Sequence, residues 1–119
     1  MKKLHELTMP ELEEELESKT KLLEKEGINF VAKKSQFENL SELHKVVLSK
    51  LKTSFEGSDA AKETSAMASP DYETYKQGLG AAREQYYQAQ VQYDLVKLKI
   101  DVLRTIISNR REELQRFKA

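Results

Sequence analysis

His5 and His44 are the only imidazoles in the chain, and cysteine is absent. A metal centre in a helical bundle needs His and Glu side chains converging at helical offsets. Neither histidine has a second His or a Glu at such an offset on its own face. Without cysteine there is no disulfide, thiolate metal site or Cys nucleophile. Serines are present, but none sits in the sharp turn that exposes a hydrolase nucleophile. Gly78-Leu79-Gly80 follows no strand pattern and lacks the Gly-Lys-Ser/Thr of a phosphate loop. The run Glu13-Glu14-Glu15 reads as a solvated helix face, supported by the i,i+4 pairs Glu15/Lys19 and Glu17/Lys21. No convergent titratable cluster is left, so the expectation is a protein that is not an enzyme and takes no cofactor or metal.

The other chemistry available is phosphate contact. Arg104, Arg110, Arg111, Arg116 and Lys118 gather near the end of the chain, and Lys2 and Lys3 lie near its start. If the two ends meet, Lys2, Lys3, Arg110, Arg111, Arg116 and Lys118 form a candidate nucleic-acid tip. The acidic residues Glu11, Glu13, Glu14, Glu15 and Glu17 would lie beside that tip and offset it. The chain has 20 Lys+Arg and 20 Asp+Glu and is neutral, whereas nucleic-acid-binding modules are usually clearly basic. Tyr72, Tyr75, Tyr86 and Tyr93 could stack on bases, but their helical spacing marks them as packing residues, and only Tyr87 is off that line. Protein contact is therefore favoured over nucleic-acid contact.

The elements that carry these residues are helices. Over 119 residues there are 4 Gly and 2 Pro, with 34% charged residues, which argues for long helices washed by solvent. Ser69-Pro70-Asp71 is a helix start: a cap, a proline whose missing N–H is not needed, and an acid at the positive end of the dipole. From there, alternating steps of three and four give Tyr72, Tyr75, Leu79, Ala82, Tyr86, Ala89, Tyr93, Val96, Ile100, Leu103, Ile107, Arg110, Leu114 and Phe117. Only Arg110 breaks the apolar series, which specifies a coiled-coil seam over residues 70–118. Thr8-Met9-Pro10-Glu11 is a capping box with Leu7 and Leu12 as a hydrophobic staple. It starts a first helix over residues 8–56, whose seam repeats at Leu16, Leu23, Phe30, Phe37, His44 and Leu51. Gly27 is a candidate break, which would give three helices. Residues 57–69 are small, polar and aperiodic, and read as a flexible loop.

The expected fold is all-α, a long antiparallel helical hairpin within one domain. Each arm would be ~70 Å long at ~1.5 Å per residue. Residues 1–26 hold 5 basic and 8 acidic side chains, and residues 97–119 hold 7 basic and 3 acidic, so antiparallel pairing is electrostatically favoured. Folding about Glu63 would set Phe37 against Ala89 and His44 against Ala82, bulky knobs over small holes.

The second arm has more apolar residues than one seam needs. Val91, Leu95, Leu98, Val102 and Ile106 lie roughly opposite the Tyr93–Ile100–Ile107 line. A helix apolar on two faces must be covered on two faces. This stripe is the expected interface for a homo-oligomer or a helical protein partner. The other option is a break at Gly27, with residues 8–26 folding over it.

The stretch from Ala68-Ser69-Pro70-Asp71-Tyr72-Glu73 to Leu103-Arg104-Thr105-Ile106-Ile107-Ser108-Asn109-Arg110 resembles small helical proteins encoded by bacteriophages. Such proteins accompany single-strand-annealing recombinases and single-strand DNA-binding proteins. The resemblance covers the second half of the chain and carries over no functional residue. It implies a phage accessory protein of DNA recombination or replication, working through protein contacts. The leading reading of the chain is an oligomeric helical hairpin that modulates a DNA-handling or host-defence protein. The helical hairpins of type VII secretion are similar in length and layout, but they carry a Trp-x-Gly turn and this chain has no Trp. Prefoldin subunits are also helical hairpins, but they need β-hairpins that residues 57–68 do not pattern. A structural or chaperone-like coiled coil remains a third reading.

No uncharged stretch is long enough to span a bilayer. The basic start Met1-Lys2-Lys3 is followed by no apolar run, so no signal peptide is expected. The expected compartment is the cytoplasm, the host's if the chain is phage-encoded.

Overall fold

The structure is a computed structural model that describes residues 2–118, with the side chain of Lys118 outside that description. A short 3-10 turn at Leu4–Glu6 precedes α1 (Met9–Glu42), α2 (His44–Lys52), α3 (Asp59–Met67) and α4 (Pro70–Lys118). Among the described residues there is no strand. The all-α class and the antiparallel pairing of a first helical arm with a second are both present. The chain's contacts divide it into two compact units. One combines residues Met1–Asn29 with Gln90–Ala119, and the other spans Phe30–Ala89.

In the first unit α1 starts where its capping box lies. The Glu11 N–H donates to Thr8 Oγ1 at 3.3 Å, and the Thr8 N–H donates back to Glu11 Oε1 at 3.1 Å. Two otherwise unpaired donors at the helix start are thereby satisfied. The core here is Leu12, Leu103 and Ile107, with Leu7, Met9, Leu16 and Ile106 packed around it. Val96 and Ile100 continue the buried line along α4. The α4 seam thus buries Leu79, Ala89, Val96, Ile100, Leu103 and Ile107 and half-buries its tyrosines and Ala82, as its periodicity selects, up to Ile107. Beyond Arg110 the expected seam fails: Leu114 and Phe117 are exposed. The chain before Thr8 is a 3-10 turn rather than another turn of α1, so those two positions have no helix opposite them.

Gly27 does not break the first arm; α1 runs through it. A Cβ at Gly27 would stand 3.3 Å from Cε2 of Tyr93. The glycine admits the Tyr93 ring, and the packing gained offsets its ~1 kcal/mol helix penalty relative to Ala. The option in which residues 8–26 fold over the outer face of α4 falls with it.

In the second unit the first arm is interrupted at Leu43, between α1 and α2. The Leu40 carbonyl accepts the Leu43 N–H at 3.3 Å, a tight i,i+3 bond. It also accepts a hydrogen bond from the Tyr75 hydroxyl of α4. A side chain intruding into the backbone ladder is a standard cause of a helix kink. Phe37 stacks on Tyr86 (centroids 5.8 Å apart) with the Arg83 guanidinium 5.4 Å from its ring. His44 meets Tyr72 and Tyr75 at 5.9 and 6.2 Å. The register therefore differs from the one centred on Glu63: Phe37 and His44 face tyrosines, not alanines. Pairing rings buries more apolar area than setting a ring over a methyl.

Residues 57–69, expected as a flexible loop, contain α3. Gly57 takes φ +116°, which favours glycine, and ends the link from α2. Ser58 then caps α3, accepting the Ala61 N–H at 3.2 Å. Asp59 sits in the first turn and Ala66 is fully buried. α4 follows after a two-residue turn, with Ser69 Oγ accepting the Tyr72 N–H at 3.3 Å.

Candidate interaction surface

All residues of this surface belong to the first unit. In α4, Tyr93, Val96, Ile100, Leu103 and Ile107 face α1. Val91, Leu95, Leu98 and Val102 stand on the other side, between 41% and 59% exposed. Ile106 is half-buried and packs on the Leu12 cluster. The stripe singled out from the sequence is thus an exposed aliphatic face over most of its length, with its last member turned inward.

The stripe borders a groove of about 370 Å³ lined by Leu4, Glu15, Lys19, Leu98, Lys99, Val102 and Leu103. Its apolar floor comes mostly from α4, and Leu4 of the 3-10 turn contributes one wall. Leu4 is held there indirectly. Arg110 Nη2 donates to the His5 carbonyl at 2.7 Å, and Arg110 Nη1 donates to the Leu7 carbonyl. These bonds tie the segment before α1 onto α4. They explain why a cation interrupts an otherwise apolar series: its head reaches past the core to carbonyls that no helix satisfies.

The basic residues divide into two groups. Lys2 pairs with Glu11 at 3.4 Å, and Arg111 pairs with Glu13 at 3.4 Å. Arg110 is taken up by backbone carbonyls rather than by the acidic start of α1. Lys3 and Arg116 are exposed, and Arg104 lines a small depression with Glu13 and Arg111. The side chain of Lys118 lies outside the described residues. Lys2, Arg110 and Arg111 are therefore already engaged within the chain.

His5 lies 3.8 Å from the Glu6 carboxylate in an exposed position. In the second unit His44 Nε2 is 2.9 Å from Tyr72 Oη. This polar contact inside a seam was not anticipated, although His44 at a seam position with two tyrosines three residues apart was its available sign. Among the described residues, no group of three His, Asp or Glu side chains could hold a metal ion. No described helix is long and apolar enough to cross a membrane.

Two carboxyl or hydroxyl groups are shifted by their surroundings. The Thr8 backbone N–H, then the Thr8 hydroxyl, hold the Glu11 carboxyl below its ordinary value. Burial, then the neighbouring Tyr72, raises the Tyr75 hydroxyl above its own. Both groups serve helix architecture.

In comparisons with known proteins, no family model, curated protein or solved structure matches this chain.

Proposed function

We propose that this chain is a non-enzymatic interaction protein that self-associates through the outer face of α4. In this reading the assembly modulates a DNA recombination, replication or host-defence protein, as the resemblance to phage accessory proteins suggests. The observation that carries it is the aliphatic stripe Val91, Leu95, Leu98 and Val102, left exposed on a helix whose opposite face is occupied by α1. Aliphatic surface gains roughly 25 cal/mol per Å² on leaving water, so a stripe of this length favours association. The engagement of Lys2 and Arg111 with glutamates weighs against the alternative, direct contact with single-stranded nucleic acid.

Sedimentation equilibrium tests the reading. Wild type should sediment as a dimer or larger. Leu98→Glu should shift it toward monomer with its helical circular dichroism kept. A wild type that is monomeric at all accessible concentrations would rule the reading out.

A further inference from the structure

We infer that the occupant of the α4 outer face is the same face of a second copy, running parallel to the first. This rests on the proposed role of the stripe as an interface, and it adds the orientation and the residues that set it.

The outer face follows a heptad of its own. Leu95, Val102 and Asn109 recur every seven residues, and so do Val91, Leu98 and Thr105. The first set takes the a positions and the second the d positions. The residues packed on α1, namely Val96, Ile100, Leu103 and Ile107, fall at b and f, on the opposite side of the helix. One helix therefore carries two seams, one used within the chain and one open.

The flanking charges choose the orientation. Asp94 and Asp101 lie on the g edge of the outer seam and Lys99 on the e edge, all three exposed. In a parallel pair a g residue faces the e residue five positions further along its partner. Asp94 then faces Lys99 of the second copy, and the two-fold axis repeats the pair. The Lys99 edge also borders the groove lined by Leu4, Glu15 and Lys19. Glu15 and Lys19 offset each other there, so Lys99 is the cation that the acidic edge of the other copy meets. In an antiparallel pair g faces g, which sets Asp94 against Asp101 of the other copy, like charge against like. In the middle of the seam the core agrees with the charges: Leu98 at d and Val102 at a suit a parallel two-stranded pair, while Leu95 at a and Val91 at d choose no orientation. Asn109 at a single a position would meet its own copy and fix the register.

The test uses the full chain at low salt. Asp94→Lys sets lysine beside Lys99 of the second copy and should raise the dimer dissociation constant about tenfold, since two symmetric pairs turn repulsive. Lys99→Asp should do the same. Mixing the two variants in equal amounts should restore attraction and give mostly heterodimer, read by native mass spectrometry. In the antiparallel arrangement Asp94→Lys would instead meet Asp101 and tighten the dimer. A dimeric wild type with a tighter Asp94→Lys variant, or with neither variant altered, overturns the parallel order while leaving the interface reading standing. A monomeric wild type overturns both.

Discussion

The Tyr75 hydroxyl of α4 donates a hydrogen bond to the Leu40 carbonyl, and the first arm is interrupted three residues later, at Leu43. A carbonyl in mid-helix normally accepts only from the N–H four residues on. Here it accepts a phenol and an i,i+3 amide, so the ladder is shared between arms. Tyr75→Phe keeps the ring and removes the donor. The expected loss is about 1 kcal/mol in urea unfolding, the usual net worth of one hydrogen bond, with continuous amide protection from Glu42 through Val46. Unchanged protection across that segment would detach the kink from the hydroxyl.

The same hydroxyl predicts an alkaline effect. Its value is raised above 10.0 by burial and then by Tyr72. The unfolded chain ionises first as pH rises, so the unfolded state gives up its proton while the folded state keeps it. Stability from this group is complete below about pH 10 and falls as pH climbs through the folded value. Tyr75→Phe should therefore show a shallower loss of stability above pH 10 than wild type. Equal slopes would count against burial of this hydroxyl.

Gly27 and Tyr93 make the second test of inter-arm packing. Alanine at residue 27 gains up to ~1 kcal/mol of helix propensity, but its methyl lies 3.3 Å from the Tyr93 ring. A shift of the ring by a few tenths of an ångström accommodates it, so Gly27→Ala should change stability by less than ~1 kcal/mol. Gly27→Leu cannot be accommodated this way and should cost ~1–3 kcal/mol through overpacking. If leucine is tolerated as well as alanine, the ring does not pack there.

At the start of α1, Thr8 and Glu11 satisfy each other's backbone. Thr8→Ala should destabilise the chain by ~1 kcal/mol, as loss of a helix cap does. The Glu11 carboxyl lies below its ordinary 4.5 because Thr8 donates to it. Its contribution is therefore present above pH 4.5 and lost as pH falls through the lowered folded value. Glu11→Gln keeps an acceptor for the Thr8 N–H and should reduce this acid sensitivity. An NMR titration of Glu11 that shows no displacement from its ordinary value would contradict the reciprocal bonds.

How far the sequence disclosed these features depends on whether their causes are local. The α4 seam was legible because its period continues unbroken from Tyr72 to Ile107 and its start carries Ser69 and Pro70. The start of α1 was legible because Thr8 and Glu11 act within one turn. The kink at Leu43 was not, because its cause is a hydroxyl on the other arm. The register was missed for a related reason: Phe37 and His44 had alanines and tyrosines within reach on α4, and spacing alone does not rank them. α3 was missed although Ser58-Asp59 is a start signal, because Ala60 to Met67 has too little apolar periodicity to stand out. The exposed stripe was legible, but the groove beside it was not. Leu4 reaches that groove through bonds from Arg110 to backbone carbonyls, which leave no sign in side-chain patterns.

Arg110 and Arg111 are neighbours in the chain and should behave differently when removed. Arg111 pairs with Glu13 at 3.4 Å, with both side chains more than half exposed. Such pairs are worth ~0–1 kcal/mol and fade with salt. Arg110 donates to the carbonyls of His5 and Leu7, charge-assisted bonds whose loss costs ~1–3 kcal/mol and leaves those carbonyls to water. Arg111→Gln should therefore shift the urea midpoint little, and less still at high salt. Arg110→Gln should cost more at any salt, with faster amide exchange at Glu6 and Leu7 as the 3-10 turn loosens from α4. Changing both to Glu should lower stability further without altering retention of single-stranded oligonucleotide at about 50 mM salt, where phosphate contacts are strong. The opposite result, lost retention with an unchanged melting curve, would move both arginines from the architecture of the first unit to a nucleic-acid site.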